Sequence, residues 1–294
     1  MTRALLALLR LLQRLPLPVL AALGWGLGQL LFVLARSRRR VALRNLELCF
    51  PEWSAAQRRR VARRHFGWLA RSLLERALLW WGNEARIRRL IRVEGDIELA
   101  EREMRTSGRP TMWLCPHFVG LDVAGAAILL FQQRPGASIY QTQSDPVIDA
   151  EMRRGRLRFG DAQIFARNES VKPLMRAIRE GRGFFNLPDM DFGEKDAAFV
   201  PFFGVPAATL LAPSRMARAL DMVVQPVIAE LLPGGRGYVV RFLDPLPGFP
   251  TTDAVADTAA LNRWIEERIR ERPEQYLWVH KRFKTRPAGQ PPLY

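Results

Sequence analysis

Cysteine is nearly missing from this 294-residue chain, with only Cys49 and Cys115 present. Two isolated thiols offer neither a disulfide framework nor metal-ligand spacing, which fits a reducing compartment. Lysine is almost as scarce, confined to Lys172, Lys195, Lys281 and Lys284. Acidic residues number 29 against 45 basic ones, so a formal net charge of +16 rests almost wholly on arginine. No internal repeat or low-complexity segment occurs, and a composition 48% hydrophobic and 25% charged excludes a disordered chain. The arginine excess fits a GC-rich coding bias. It also fits an anionic partner, since guanidinium binds phosphate with two parallel hydrogen bonds. Phosphorylated lipid headgroups, an acidic carrier protein and nucleic acid are the candidates.

Residues 15–35 carry no charge and are apolar apart from Gln29 and two early prolines. That is about the 20 residues a membrane span needs. No small-residue cleavage site follows, only Arg36-Ser37-Arg38-Arg39-Arg40, so the run reads as a retained anchor rather than a signal peptide. Arg3, Arg10 and Arg14 precede it and the denser cluster follows, which places the remainder of the chain on the cytoplasmic side by the positive-inside rule. An interfacial helix is the alternative to a span. Gly24-Trp25-Gly26-Leu27-Gly28 mimics a dinucleotide fingerprint, but it sits inside an apolar helix with no strand before it, so helix packing is the better reading. A helix over 41–50 ends at Pro51, and Ser54 is the expected N-cap of a long basic helix over 55–81.

From residue 91 onward, strand and helix patterns alternate. Strands are expected at 91–94, 111–115, 137–140, 163–165, 183–187, 222–229, 237–242 and 276–279. Helices are expected at 96–105, 121–131, 146–158, 171–180, 208–220 and 253–271. Such alternation predicts an α/β fold with a mostly parallel sheet and helices on both faces. Ligands then sit beyond the carboxyl ends of strands. The expected organisation is an anchor helix over 1–36, one α/β domain over 37–287 that includes the basic helical part, and a tail over 288–294.

Two stretches fall at such strand ends. In Cys115-Pro116-His117-Phe118-Val119-Gly120-Leu121-Asp122, a histidine leaves a buried strand and a carboxylate opens the next helix. Asp122 is positioned to accept one imidazole N–H, fixing the tautomer and stabilising the imidazolium. The bland reading makes His117 a satisfied loop histidine and Asp122 a helix-start acid. Cys115 is a rival nucleophile, although a cysteine in an apolar strand is ordinarily inert core. In Leu187-Pro188-Asp189-Met190-Asp191-Phe192-Gly193 two carboxylates alternate through a loop. No third acidic ligand lies near them, so pairing with an arginine is favoured over a metal.

Together His117-x4-Asp122, Pro188-Asp189-Met190-Asp191-Phe192-Gly193, Phe199-Val200-Pro201-Phe202-Phe203-Gly204, Ala207-Ala208-Thr209 and Gln275-Tyr276-x-Trp278-x-His280-x-Arg282-Phe283-Lys284-x-Arg286-Pro287 resemble the late lipid A acyltransferases. These form the lauroyl/myristoyl transferase group of the glycerolipid acyltransferase superfamily. Asn45-x-x-x-Cys49-Phe50-Pro51-Glu52 fits as well. Two positions depart from the pattern: Met190 stands where members commonly show glutamine, and Asp122 where many have glutamate. The resemblance implies a membrane-bound transferase of the bacterial inner membrane, facing the cytoplasm. It would move an acyl chain from acyl carrier protein to a hydroxyl of an anionic lipid A precursor, with no cofactor and no metal. His117 would be the general base and Asp122 its partner. Arg156 (or its neighbour Arg158), Asp189 and Asp191 would bind substrate, with Asp189 the more important loop acid. The rivals are the same chemistry on another lysophospholipid or glycolipid with an acyl-CoA donor, and a non-catalytic basic protein of membrane surfaces or nucleic acid. No nucleic-acid motif supports the latter.

Overall fold

The computed structural model describes residues 2–294; nothing is described for Met1 or for the side chain of Arg3. The N-terminal part is helical: α1 (Thr2–Leu12), α2 (Leu17–Leu34), α3 (Arg36–Cys49), α4 (Ala55–Trp81) and α5 (Glu84–Leu90). The break between α1 and α2 falls at Pro16, whose ring favours a helix start over a continued helix. Ser54 caps α4 as expected: its hydroxyl accepts the Gln57 N–H, while the Gln57 side chain accepts the Ser54 N–H.

Strand and helix then alternate through β1 (Ile91–Gly95), α6 (Leu99–Thr106), β2 (Thr111–Leu114), α7 (Leu121–Phe131), β3 (Gly136–Tyr140), α8 (Pro146–Arg156), β4 (Ala162–Ala166), α9 (Lys172–Arg179) and β5 (Gly183–Asn186). After β6 (Ala197–Phe202), β7 (Val205–Leu210) and α10 (Ala212–Ala219) come β8 (Val223–Leu231), β9 (Tyr238–Phe242) and α11 (Ala254–Glu271). A seven-stranded sheet runs β1-β9-β8-β2-β5-β3-β4. Every neighbour pair is parallel except β8–β9. This is the expected α/β class with a mostly parallel sheet. β2 lies in its interior, flanked by β8 and β5, and all four of its residues are buried.

Two local expectations fail. The helix expected from 208 begins at Ala212, because 205–210 pair with 197–202 as an antiparallel hairpin. Its two-residue turn, Phe203-Gly204, has positive φ at both positions (50° and 75°), the geometry that matches strand twist. The expected last strand at 276–279 is instead irregular, touching the loop after β2 through one bridge, Phe118 to Tyr276. The segment 288–294 is docked on the domain. The Tyr294 hydroxyl accepts the Phe283 N–H at 3.1 Å and bonds Asn45, and the Leu293 carbonyl accepts from Arg44 at 3.0 Å.

The apolar helix α2 is not a detached anchor. Leu17, Leu20, Ala21, Gly24, Gly28 and Phe32 form its buried face, which lies antiparallel along α4. A Cβ on Gly28 would come within 2.3 Å of the Phe66 carbonyl oxygen, and Gly67 of α4 receives the Trp25 ring in return. Gly26, two residues away, faces open space. Further along α4, His65 is fully buried and its Nδ1 lies 3.3 Å from the Glu274 carbonyl. Burial outweighs that bond and lowers its pKa to about 4.

Two outcomes are expected. Gly26→Ala should stabilise the protein by up to about 1 kcal/mol through helix propensity, whereas Gly28→Ala should destabilise it by about 1–3 kcal/mol through overpacking. Paired thermal melts read this, and equal melting points would refute the close α2–α4 approach. For His65, the unfolded state binds more protons between pH 6.5 and about 4, so stability is full above that window and falls as pH drops through it. Its share of the loss is about 3 kcal/mol. Denaturant titrations at pH 7, 5.5 and 4 should therefore show a shallower loss in His65→Gln than in the wild-type chain.

Candidate active site

His117 leaves the carboxyl end of β2, and Asp189 stands just beyond the end of the adjacent β5. Parallel pairing of Leu114 with Asn186 brings the two loops side by side. Asp189 is wholly buried, and its carboxylate accepts the His117 backbone N–H at 3.0 and 3.2 Å. The imidazole Nδ1 lies 2.7 Å from the same carboxylate. Burial pushes the Asp189 pKa up, but the charge and hydrogen bonds of His117, with help from the Tyr276 hydroxyl, carry it below the usual range. An ionised Asp189 makes Nδ1 the donor and leaves Nε2 as the lone-pair nitrogen. The partner expected from spacing was Asp122, and the structure replaces it with Asp189.

The loop is gripped from its other side too. Leu277 donates to the His117 carbonyl at 3.0 Å and Val119 donates to the Gln275 carbonyl at 2.8 Å. The Gln275 side chain in turn pairs with both backbone groups of Leu231 at 3.0 Å. A Cβ on Gly120 would sit 2.6 Å from the Ala229 carbonyl oxygen, so only glycine lets the loop press this closely on β8.

Asp122, in the first turn of α7, binds two arginines. Arg76 of α4 reaches one oxygen at 2.6 Å, and Arg156, the last residue of α8, reaches the other at 2.9 and 3.1 Å. Burial raises the Asp122 pKa, yet the two guanidinium charges overcome it and hold it at about 2. Asp122 is therefore a fixed anion, and two cations against one leave a positive surplus. Arg156 was singled out through the resemblance, and its partner is Asp122. Arg76 was hidden among the many arginines of α4. Only its position on the side of α4 turned toward α7 distinguishes it.

Asp122 and Arg156 stand in the wall of a cleft between α4, α7, α8 and the strands β3 and β5. Its empty space is about 800 Å3, open mouth included, and its walls are mainly apolar: Trp80, Leu121, Leu129, Ile139 and Phe185 are representative. Leu121 and Leu187, chain neighbours of the His117 and Asp189 loops, also line it. Gly125 exposes its backbone to this space; a Cβ there would meet only a Phe185 ring carbon, at 3.7 Å.

The other expected residues have different surroundings. Asp191 accepts from the Thr285 N–H and hydroxyl, both at 2.7 Å, and from the Gly193 N–H at 3.0 Å, so it ties the Asp189 loop to the C-terminal segment. Arg158 donates to the Leu79 and Gly82 carbonyls at 3.2 and 2.7 Å and so caps the end of α4. Cys115 is 1% exposed, and burial, then the charges of Asp189 and Asp122, push its thiol far above the normal range, so it is no nucleophile. His280 joins the same neighbourhood: its Nε2 accepts the Asp191 N–H at 3.1 Å. Burial first, then the His117 and Arg282 charges, lower its pKa to about 4, which keeps it neutral.

Comparison with known proteins gives the family. The family model for bacterial lipid A biosynthesis acyltransferases matches residues 1–285. Similar proteins include the lipid A biosynthesis lauroyltransferase of Escherichia coli (strain K12), 33% identical over 290 residues, which are 98% of this chain and 93% of that one. The lipid A biosynthesis palmitoleoyltransferase of the same strain is also 33% identical, over 98% of this chain and 92% of its own. Its lipid A biosynthesis myristoyltransferase is 31% identical over 93% of this chain and 82% of its own. A match along nearly the whole chain leaves one conclusion: the chain belongs to the bacterial lipid A biosynthesis acyltransferase family.

Proposed function

We propose that this acyltransferase moves a fatty acyl chain from acyl carrier protein to a hydroxyl of a lipid A precursor, with His117 as general base. The observation that carries the reading is the apolar cleft whose wall holds Asp122 and Arg156 and adjoins the His117 and Asp189 loops. Such a cleft suits an alkyl chain, because its walls are mainly apolar with a few polar groups. The acceptor O–H gives its proton to His117 Nε2 while its oxygen attacks the thioester carbonyl carbon. The C–S bond then breaks, and the imidazolium returns the proton to the departing sulfur. Asp189 holds the ring and stabilises the transient imidazolium, a task otherwise expected of Asp122. Arg156 and Arg76, anchored by Asp122, hold positive charge where the phosphorylated acceptor and the phosphodiester of the carrier arm approach. Asp191 and Arg158 serve as supports behind them. The reaction belongs at the bacterial inner membrane on its cytoplasmic side, in keeping with the Arg36–Arg40 cluster behind the apolar helix.

His117→Ala should lower turnover by at least the general-base factor, on the order of 10²–10⁴. Asp189→Asn should come close to it, and the double variant should be little worse than His117→Ala, because one proton transfer is lost in each case. Initial rates with an acyl-carrier thioester and an under-acylated lipid A precursor decide this. A folded His117→Ala protein with near-normal turnover would end the reading. A second test concerns the cleft. Gly125→Leu should shift preference toward shorter acyl chains, read by mass spectrometry of products from a mixture of carrier-bound chain lengths. An unchanged product distribution would exclude the cleft as the acyl site.

A further inference from the structure

Apart from Leu73, Val171, Phe199 and Val255, every exposed large apolar side chain among the described residues lies on α1 or α2. Leu5, Leu8 and Leu11 form a stripe on α1, and Leu23, Leu27 and Leu30 form one on α2, all at helical spacing. An apolar surface this continuous needs a cover. The length of α2, 18 residues or about 27 Å, would nearly cross a bilayer core of about 30 Å. Its surroundings forbid the crossing.

The buried face of α2 is engaged from end to end. At its start, a Cβ on Gly235 of the β8–β9 turn would meet the Pro18 backbone at 2.5 Å. Mid-helix, a Cβ on Gly24 would meet the Arg71 backbone at 2.6 Å. At its end, the Phe32 and Phe66 rings are 5.5 Å apart, edge to face. Arginines accompany the same contact: Arg63 bonds the Gln29 side chain at 2.5 Å, and the Arg59 and Arg39 guanidiniums each lie 5.5 Å from the Phe32 ring centre. Threading α2 through a bilayer would take α4 and these cations into the hydrocarbon, where an arginine near the centre is strongly disfavoured. Stripping α2 from α4 would instead discard its packed face.

We infer that α1 and α2 lie in the plane of the membrane, buried in one leaflet of an anionic bilayer, so that the protein is monotopic rather than membrane-spanning. This deepens the membrane attachment of the proposed function and rests on it. Charge supports the occupant. Exposed Arg10 and Arg14 stand before the α2 stripe and exposed Arg36 and Arg40 behind it, where anionic headgroups would meet them. The placement also serves the cleft. The Thr2 hydroxyl of α1 bonds Asp145, the N-cap of α8, at 2.7 Å. Arg10 lies over the Trp81 ring at 5.7 Å, and the adjoining Trp80 lines the cleft. A membrane under α1 therefore lies beside the cleft end formed by Trp80 and α8, and a lipid acceptor reaches it from the same leaflet.

Depth measurements on the full-length chain test this. Val19→Cys, Leu27→Cys and Leu34→Cys, each carrying one fluorophore, are reconstituted into vesicles of phosphatidylethanolamine and phosphatidylglycerol; the native Cys49 and Cys115 are buried and stay unlabelled. Doxyl lipids then quench from shallow and deep positions. All three sites should report one shallow depth, about 5–10 Å below the headgroups. Leu23→Glu with Leu30→Glu should lower vesicle partition at least tenfold. A deep Leu27 between shallow sites at 19 and 34 would establish a span and overturn the proposal. Absence of quenching at all three, or unchanged partition of the double variant, would show that lipid does not cover this face. Neither readout depends on turnover, so a failure of the acyl-transfer reading leaves this result standing.

Discussion

A carboxylate with no exposure to solvent governs this molecule. Burying an ionised Asp189 costs several kcal/mol unless its lone pairs are satisfied, and His117 satisfies them with both its backbone N–H and its ring. The contact needs two loops to leave neighbouring parallel strands at the same level, which the β2–β5 register provides at the usual spacing of about 4.8 Å between strands. Other features follow from holding that loop still. Glycine at position 120 lets it settle on β8, the Gln275 segment closes its far side, and Asp191 fastens the Asp189 loop to Thr285. The C-terminal segment, irregular in itself, is thus a clamp on the site.

Much of the fold was legible because strand and helix alternation fixes a parallel sheet through chain connectivity alone. The long helix α4 was legible for a second reason, since Ser54 and Gln57 mark its start chemically. The hairpin over 197–210 was not. Its strands carry Pro201 and Pro206, and its turn lacks the Asn-Gly or Asp-Gly signal that would have announced it. The small residues from Ala208 onward then read as the start of a helix.

At the candidate site, sequence reasoning singled out His117, Asp122 and Asp189, and the structure pairs His117 with Asp189 rather than Asp122. Asp122 is five positions from His117 and was the natural partner; Asp189 is 72 positions away and becomes a neighbour only through the sheet. Both aspartates had been singled out, and what differed was their partners. Arg156 was found by resemblance, whereas Arg76 was lost in an arginine-rich helix because periodicity gives a face and not a partner. Arg158, adjacent in sequence to the site, spends its charge on the α4 terminus. Nearness along the chain misled in each case where the sheet or a helix end supplied a better partner.

The arginine surplus divides along the same physical lines. Where a guanidinium is fixed by a buried anion, as Arg76 and Arg156 are by Asp122, its rotamer is set before any ligand arrives, and less entropy is lost on binding. Because Asp122 stays ionised down to a pH of about 2, that fixing persists across physiological conditions. Where arginines are exposed at the ends of the apolar stripe, as Arg10, Arg14, Arg36 and Arg40 are, their field is screened by salt within about 8 Å. One residue type is therefore held in two settings, fixed by a buried anion at the cleft and solvated beside the apolar stripe. Lysine, without the planar fork that pairs two oxygens at once, would suit the second setting far better than the first.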